Sequence, residues 1–224
     1  MATTGAGRLP ARLTELAPGL TAAFVRQALH RAIHGVGPLP PAASAADSQL
    51  REQRGDVERA IHEVIEDHVR YAGAQGFVTN LGGLATMAVT VPTNITGLAL
   101  VQCRMIAGIA HLRGYDLTDP RVRNAVLVCL LGDDAVRDLV RARRLPAPPM
   151  ALATAPAHDP HLDRVISGEV AADLVAKVAG KRIAGRVGRR IPLVGGIVGA
   201  GADGYATWRI GRYADRELLP LARR

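Results

Sequence analysis

Aromatic residues are scarce in this chain: two Phe, one Trp and four Tyr, 3% of 224 residues. β-Sandwiches and barrels draw heavily on aromatic and β-branched side chains, so this scarcity speaks against an all-β architecture. Lysine is nearly absent, with Lys177 and Lys181 alone among 28 basic residues. Cysteine occurs only at positions 103 and 129, each inside an apolar run. Two such residues make neither a disulfide framework nor a metal or redox spacing. They read as buried free thiols of a reducing compartment. The opening residues, MATTGAGRLPARLTEL, lack the apolar run of a signal peptide. A cytoplasmic location is the expectation, with peripheral contact at the inner face of the cell membrane.

What is present favours helix. Hydrophobic residues reach 48%, ample for a core. Ala, Leu and Arg are abundant, and all three are good helix formers. The formal charge of +8 is unevenly spread: from Lys181 to Arg224, ten basic residues stand against Asp203, Asp215 and Glu217. A basic stretch of this kind points to an anionic partner. Arginine with almost no lysine, beside much Ala and Gly, is also what a GC-rich coding bias produces.

Residues 1–54 read as an N-terminal extension, partly helical over Leu20–Ile33, with Gly35–Asp47 (GVGPLPPAASAAD) as a Pro/Ala linker. A helical domain follows over 55–220. Asp56 is placed to cap a helix to about Gln75, whose apolar face carries Val57, Ala60, Ile61, Val64, Ile65, His68, Val69 and Ala72. From Phe77 to Cys103 no residue is charged. Pro92 predicts a break there, giving helices over about 80–90 and 92–113. Thr118-Asp119-Pro120 is a helix start and Gly132 a stop. A short helix to about Arg144, a Pro-rich loop over 145–160, a helix from about His161 to Ala179 and a second Gly-rich apolar helix complete the chain. The expected fold is all-α: a single multi-helix, bundle-like domain with the two Gly-rich apolar segments packed centrally.

Gly199, Gly201 and Gly204 match the dinucleotide fingerprint G-x-G-x-x-G. That motif needs a flanking strand on each side of its helix, and no apolar segment between Gly204 and Arg224 reads as the second. Small residues four apart (Gly195 and Gly199; Gly196, Ala200 and Gly204) instead suit close helix contact. Asp203 continues the first row, and Arg104 lies on one side of its own helix with Gly97, Val101 and Gly108. A buried carboxylate needs a partner, which makes an Arg104–Asp203 pair the competing alternative to two charges reaching solvent.

His62, Glu63 and Glu66 resemble a zinc-protease HExxH with the second histidine lost, and no third ligand is evident, so a solvated face is expected and no metal. His30 and His34 read the same way. His68 differs in lying on the apolar face, where a bond to a backbone carbonyl competes with a functional role. No P-loop or nucleophile elbow is present.

Three blocks, HVRYAGAQGFVTNLGG, VPTNITGLALVQCRMIAGIAHLRGYDL and IPLVGGIVGAGADGYAT, resemble in order and spacing the EcsC protein family over about residues 56–218. The resemblance implies a bacterial helical domain, intracellular or membrane-associated, and no defined activity.

Three functional classes remain. The first is a peripheral membrane accessory protein. In it Lys181, Arg182, Arg186, Arg189 and Arg190 meet anionic membrane lipid or a membrane-protein complex, and Ile191 onward inserts. Full spanning is disfavoured by Pro92, several Thr and Asp203. The second is a soluble hydrolase or small-ligand binder, with a buried polar cluster of His68, Asn80, Arg104, Asp116 and Asp203. No acid, base and nucleophile can be ordered from those residues, and no cofactor is implied. Nucleic-acid binding, with Tyr205, Trp208 and Tyr213 available for stacking, ranks last for want of a motif.

Overall fold

The computed structural model describes residues 21–37, 39–81, 87–187 and 192–221. Within 75–81, 87–96, 178–187 and 192–200 only the backbone is described. The described residues form nine helices and no strand: α1 (Ala22–His34), α2 (Ala42–Glu52), α3 (Val57–Leu81), α4 (Met87–Leu112), α5 (Pro120–Leu131), α6 (Asp133–Arg141), α7 (Pro149–Ala153), α8 (Pro160–Val187) and α9 (Pro192–Glu217). The all-α expectation holds.

Several boundaries follow from capping chemistry. Thr21 Oγ1 accepts from Phe24 N–H at the start of α1. Asp119 accepts from Arg121 N–H, and Pro120 opens α5 where its missing N–H costs nothing. Gly132, at φ 84, ends α5 in a conformation that side chains resist and starts α6 at once.

The structure departs from the sequence expectation at helix ends, α3 running to Leu81 and α8 to Val187, and in three segments. Gly35–Asp47 is not a plain linker. Gly35 (φ 88) and a Val36–Leu39 bridge fold it into a tight turn, and α2 begins at Ala42. Ala42 and Ala46 are buried, because small side chains let α2 lie close on α4. Pro92 does not divide the first apolar segment: the helix is continuous from Met87 to Leu112. So near the helix start, the ring removes a single ladder bond, to the carbonyl of Ala88, and the flanking turns hold. The 145–160 segment is not simply a loop: it carries α7 and the buried Leu145.

α4 is the central helix, touching α1, α2, α3, α5, α8 and α9. Every residue from Val101 to Ala110 is buried. The longest seam joins α9 to α3. Gly204 faces Val69, and Gly211 faces Ile65 and Met105. α9 is therefore antiparallel to α3 and parallel to α4. It follows that the end of α3 and the starts of α4 and α9 share one end of the bundle. The short connection from Val187 to Pro192 brings the end of α8 there too.

The opposite end is tied by Arg113, just past α4. Its guanidinium donates to both carboxylate oxygens of Glu58 at the start of α3, and at 2.7 Å to Asp215 near the end of α9. Burial opposes the charge on Arg113, but the bonds to the two carboxylates outweigh it and hold the pKa above the ordinary value. The Arg113 carbonyl accepts from Leu221 N–H, and Tyr115 donates to the carbonyl of Leu219, so the C-terminal segment is drawn over the same end.

Two outcomes test this packing. A Cβ at Gly211 meets Ile65 at 3.0 Å and Met105 at 3.1 Å, whereas one at Gly201 meets nothing within 4 Å. Gly211→Val is expected to cost about 1–3 kcal/mol by overpacking, and Gly201→Ala to gain up to about 1 kcal/mol from helix propensity, both read by urea unfolding. Arg113→Met strips a partner from Asp215, whose side chain is 14% exposed. Breaking a buried pair costs about 3–5 kcal/mol. Arg212 still reaches Asp215 at 3.3 Å, so the lower end of that range is expected.

Candidate functional site

Several of the polar groups that the fold buries lie on α4 and α9. Gln102 on α4 donates to Thr207 Oγ1 on α9 at 3.1 Å, with both residues buried. Asp203, 3% exposed, lies one turn before Thr207, next to the glycine that rests on Val69. Arg104, 8% exposed, donates through Nη1 to the carbonyl of Pro40, in the turn ahead of α2. Its burial lowers its pKa from the ordinary guanidinium value.

His68 is half-buried on α3, and its Nδ1–H donates to the Val64 carbonyl at 2.7 Å. That is the backbone bond foreseen as the plain structural role of this residue. Burial is the main cause lowering the His68 pKa. The Val64 bond opposes it, and the nearby Arg104 charge lowers it further. Burial and the nearby Arg104 charge thus disfavour the protonated imidazole.

Of the five residues expected to form one cluster, His68 and Arg104 are neighbours, and Asp203 is buried on the adjoining helix. The Asn80 side chain lies outside the described residues. Asp116 is elsewhere and exposed. Its carboxylate accepts from the N–H and hydroxyl of Thr118, and these bonds hold its pKa below the usual carboxylate range. It staples the turn ahead of α5 and is no part of a buried cluster. Of the basic group, Lys181, Arg182 and Arg186 lie on α8 with side chains outside the described residues, and Arg189 and Arg190 lie wholly outside them. Gly195, Gly196, Gly199 and Ala200 lie on α9 within the part whose side chains are not described.

Other candidates resolve simply. Cys103 and Cys129 are buried; burial pushes Cys103 up to about 12 and Cys129 well above its ordinary value, so neither is a ready nucleophile. His62 is exposed, and among the described residues no group of His, Cys, Asp and Glu can hold a metal ion. His34 donates to the His30 carbonyl at 2.9 Å on an exposed helix face.

An EcsC protein family model matches residues 43–218. The chain belongs to the EcsC protein family. The match takes in α2, which the sequence reading places outside the resemblance, and runs through the end of α9. No curated protein and no solved structure matches. In this EcsC chain no described helix is long and apolar enough to cross a membrane.

Sequence reasoning missed two features. One is the Arg113 clamp, whose partners Glu58 and Asp215 are far apart in sequence. The other is an open groove of about 610 Å³ between the α5–α6 corner, Lys177 and the outer face of α9. Its signal was in the spacing: Tyr205, Trp208, Arg209 and Arg212 fall on one side of a helix.

His68 supplies a pH test. Its folded pKa lies below the unfolded value of about 6.5. Below that pH the unfolded chain takes up the proton first, so acidification weakens the fold until the folded pKa is passed. His68→Gln should flatten that portion of the stability–pH curve, measured by urea unfolding between pH 7 and the acid limb.

Proposed function

We propose that this EcsC protein is an accessory protein that associates peripherally with anionic membrane surfaces. The observation that carries the reading is the joint distribution of charge and apolarity along the fold. The charge-free stretch Phe77–Cys103 occupies the end of α3 and most of α4 up to the central packing layer. The basic run Lys181–Arg190 precedes the Gly-rich start of α9 in the sequence, and the described end of α3 and starts of α4 and α9 share one end of the bundle. A charge-free segment next to clustered cations is a composition suited to acidic lipid without spanning. A juxtamembrane cation is worth about 1 kcal/mol at an anionic surface. Several together suffice for reversible binding that salt disrupts.

The second reading, a small-ligand binder, is favoured by one observation: the half-buried His68 and the buried Arg104 and Asp203 stand on adjoining helices. Flotation with vesicles of neutral and anionic lipid separates the two. Binding to anionic vesicles alone, lost at high salt, is expected. Failure to float with either overturns the membrane reading and leaves the ligand binder.

A further inference from the structure

The outer face of α9 carries the largest exposed aromatic group of the described structure. Tyr205 is 62% exposed and Trp208 41%, and their rings stack at 6.0 Å with an interplanar angle of 18°. Gly201 and Ala202, one turn earlier, are exposed, and a Cβ at Gly201 meets open space. Positions 201, 205, 208 and 212 fall on one helical stripe, with 202 and 209 beside it. No described helix covers it.

The charges around this stripe are mixed, and each cation there has a carboxylate partner, Lys177 pairing with Asp173. Lys177, Arg209, Arg212 and Arg216 border the groove against Asp133 and Asp134. The pairs Arg209–Asp134 at 2.9 Å, Arg212–Asp215 at 3.3 Å and Arg216–Asp133 at 3.5 Å involve arginine side chains between 45% and 58% exposed. Exposed pairs of this kind are worth about 0–1 kcal/mol, so the guanidiniums remain free to turn toward phosphate. Trp and Tyr prefer the boundary between hydrocarbon and headgroups, where a ring is half apolar and half wet.

We infer that α9 lies along an anionic lipid surface, with Tyr205 and Trp208 set at the headgroup boundary and Arg209 and Arg212 on lipid phosphates. The inference rests on the membrane reading above and fixes its geometry. With the helix lying in the interface plane, Tyr205, Trp208, Arg209 and Arg212 meet the surface together.

Trp208 is the sole tryptophan, so the emission of the full chain reports this face alone. With vesicles of mixed phosphatidylcholine and phosphatidylglycerol, emission should shift to the blue. Lipids brominated near the headgroup end of the acyl chain should quench it, and those brominated at the chain terminus should not. Tyr205→Ala with Trp208→Ala should weaken vesicle partitioning about tenfold or more. Both side chains are exposed, so circular dichroism should be unchanged. Flotation with unshifted emission would place the membrane face elsewhere and overturn this inference while leaving membrane association intact. Absence of flotation would sink both. An equal shift on pure phosphatidylcholine would overturn the anionic headgroup assignment.

Discussion

The rest of the structure depends on the burial of α4. Ten consecutive residues, Val101–Ala110, have no face left for water. A helix surrounded in this way cannot settle its polar side chains in solvent, so each must be met by a neighbour. Gln102 requires Thr207 and thereby sets the register of α9. Arg104 requires the Pro40 carbonyl and thereby draws the turn before α2 onto the bundle. Arg113, where the helix emerges, requires Glu58 and Asp215. These polar contacts tie the turn before α2, α3 and α9 to α4, while the apolar contacts supply the bulk of the stabilisation.

The glycines illustrate how composition conceals several physical roles. Gly211 is where α9 meets Ile65 and Met105, and it has almost no room to spare. Gly204 has ordinary clearance from Val69, so close approach does not explain it. Gly201 and Gly168 face open space. Of the small residues four apart only Gly204 has a described environment, an ordinary contact, while the tight position, Gly211, lies outside that pattern.

What was legible in the sequence was periodic or locally capped. The α3 face, the Asp119–Pro120 start and the Gly132 stop depend on residues within a turn of one another. The errors came where local signals meet tertiary packing. Pro92 reads as a break, yet the surrounding ladder tolerates its one lost bond. Gly35–Asp47 reads as a linker because Pro and Gly are punctuation, yet Ala42 and Ala46 are small for the sake of contact. The candidate cluster was legible only for residues on apolar helix faces. Arg104 and Asp203 are buried and His68 half-buried on such faces, whereas Asp116, grouped with them as a polar residue in apolar surroundings, belongs to an exposed turn. Arg113 escaped because its partners lie at the two far ends of the domain.

The abundant arginine can be divided by environment. Arg104 and Arg113 are buried and bonded to groups on other elements, and their charges are spent inside the fold. Arg209, Arg212 and Arg216 sit at the surface in weak pairs, all on the last helix. A coding bias toward arginine would scatter the surface residues without regard to helical face. It gives no reason for three of them to share the outer side of α9 with the only tryptophan and its stacked tyrosine. The guanidinium is also better suited than an ammonium to such a surface, because its planar fork bonds phosphate in two places and its flat face tolerates an aromatic neighbour. The near absence of lysine, which at first reading weakens any argument from charge, is therefore compatible with a surface built for phosphate. The discriminating feature is where the arginines stand and not how many there are.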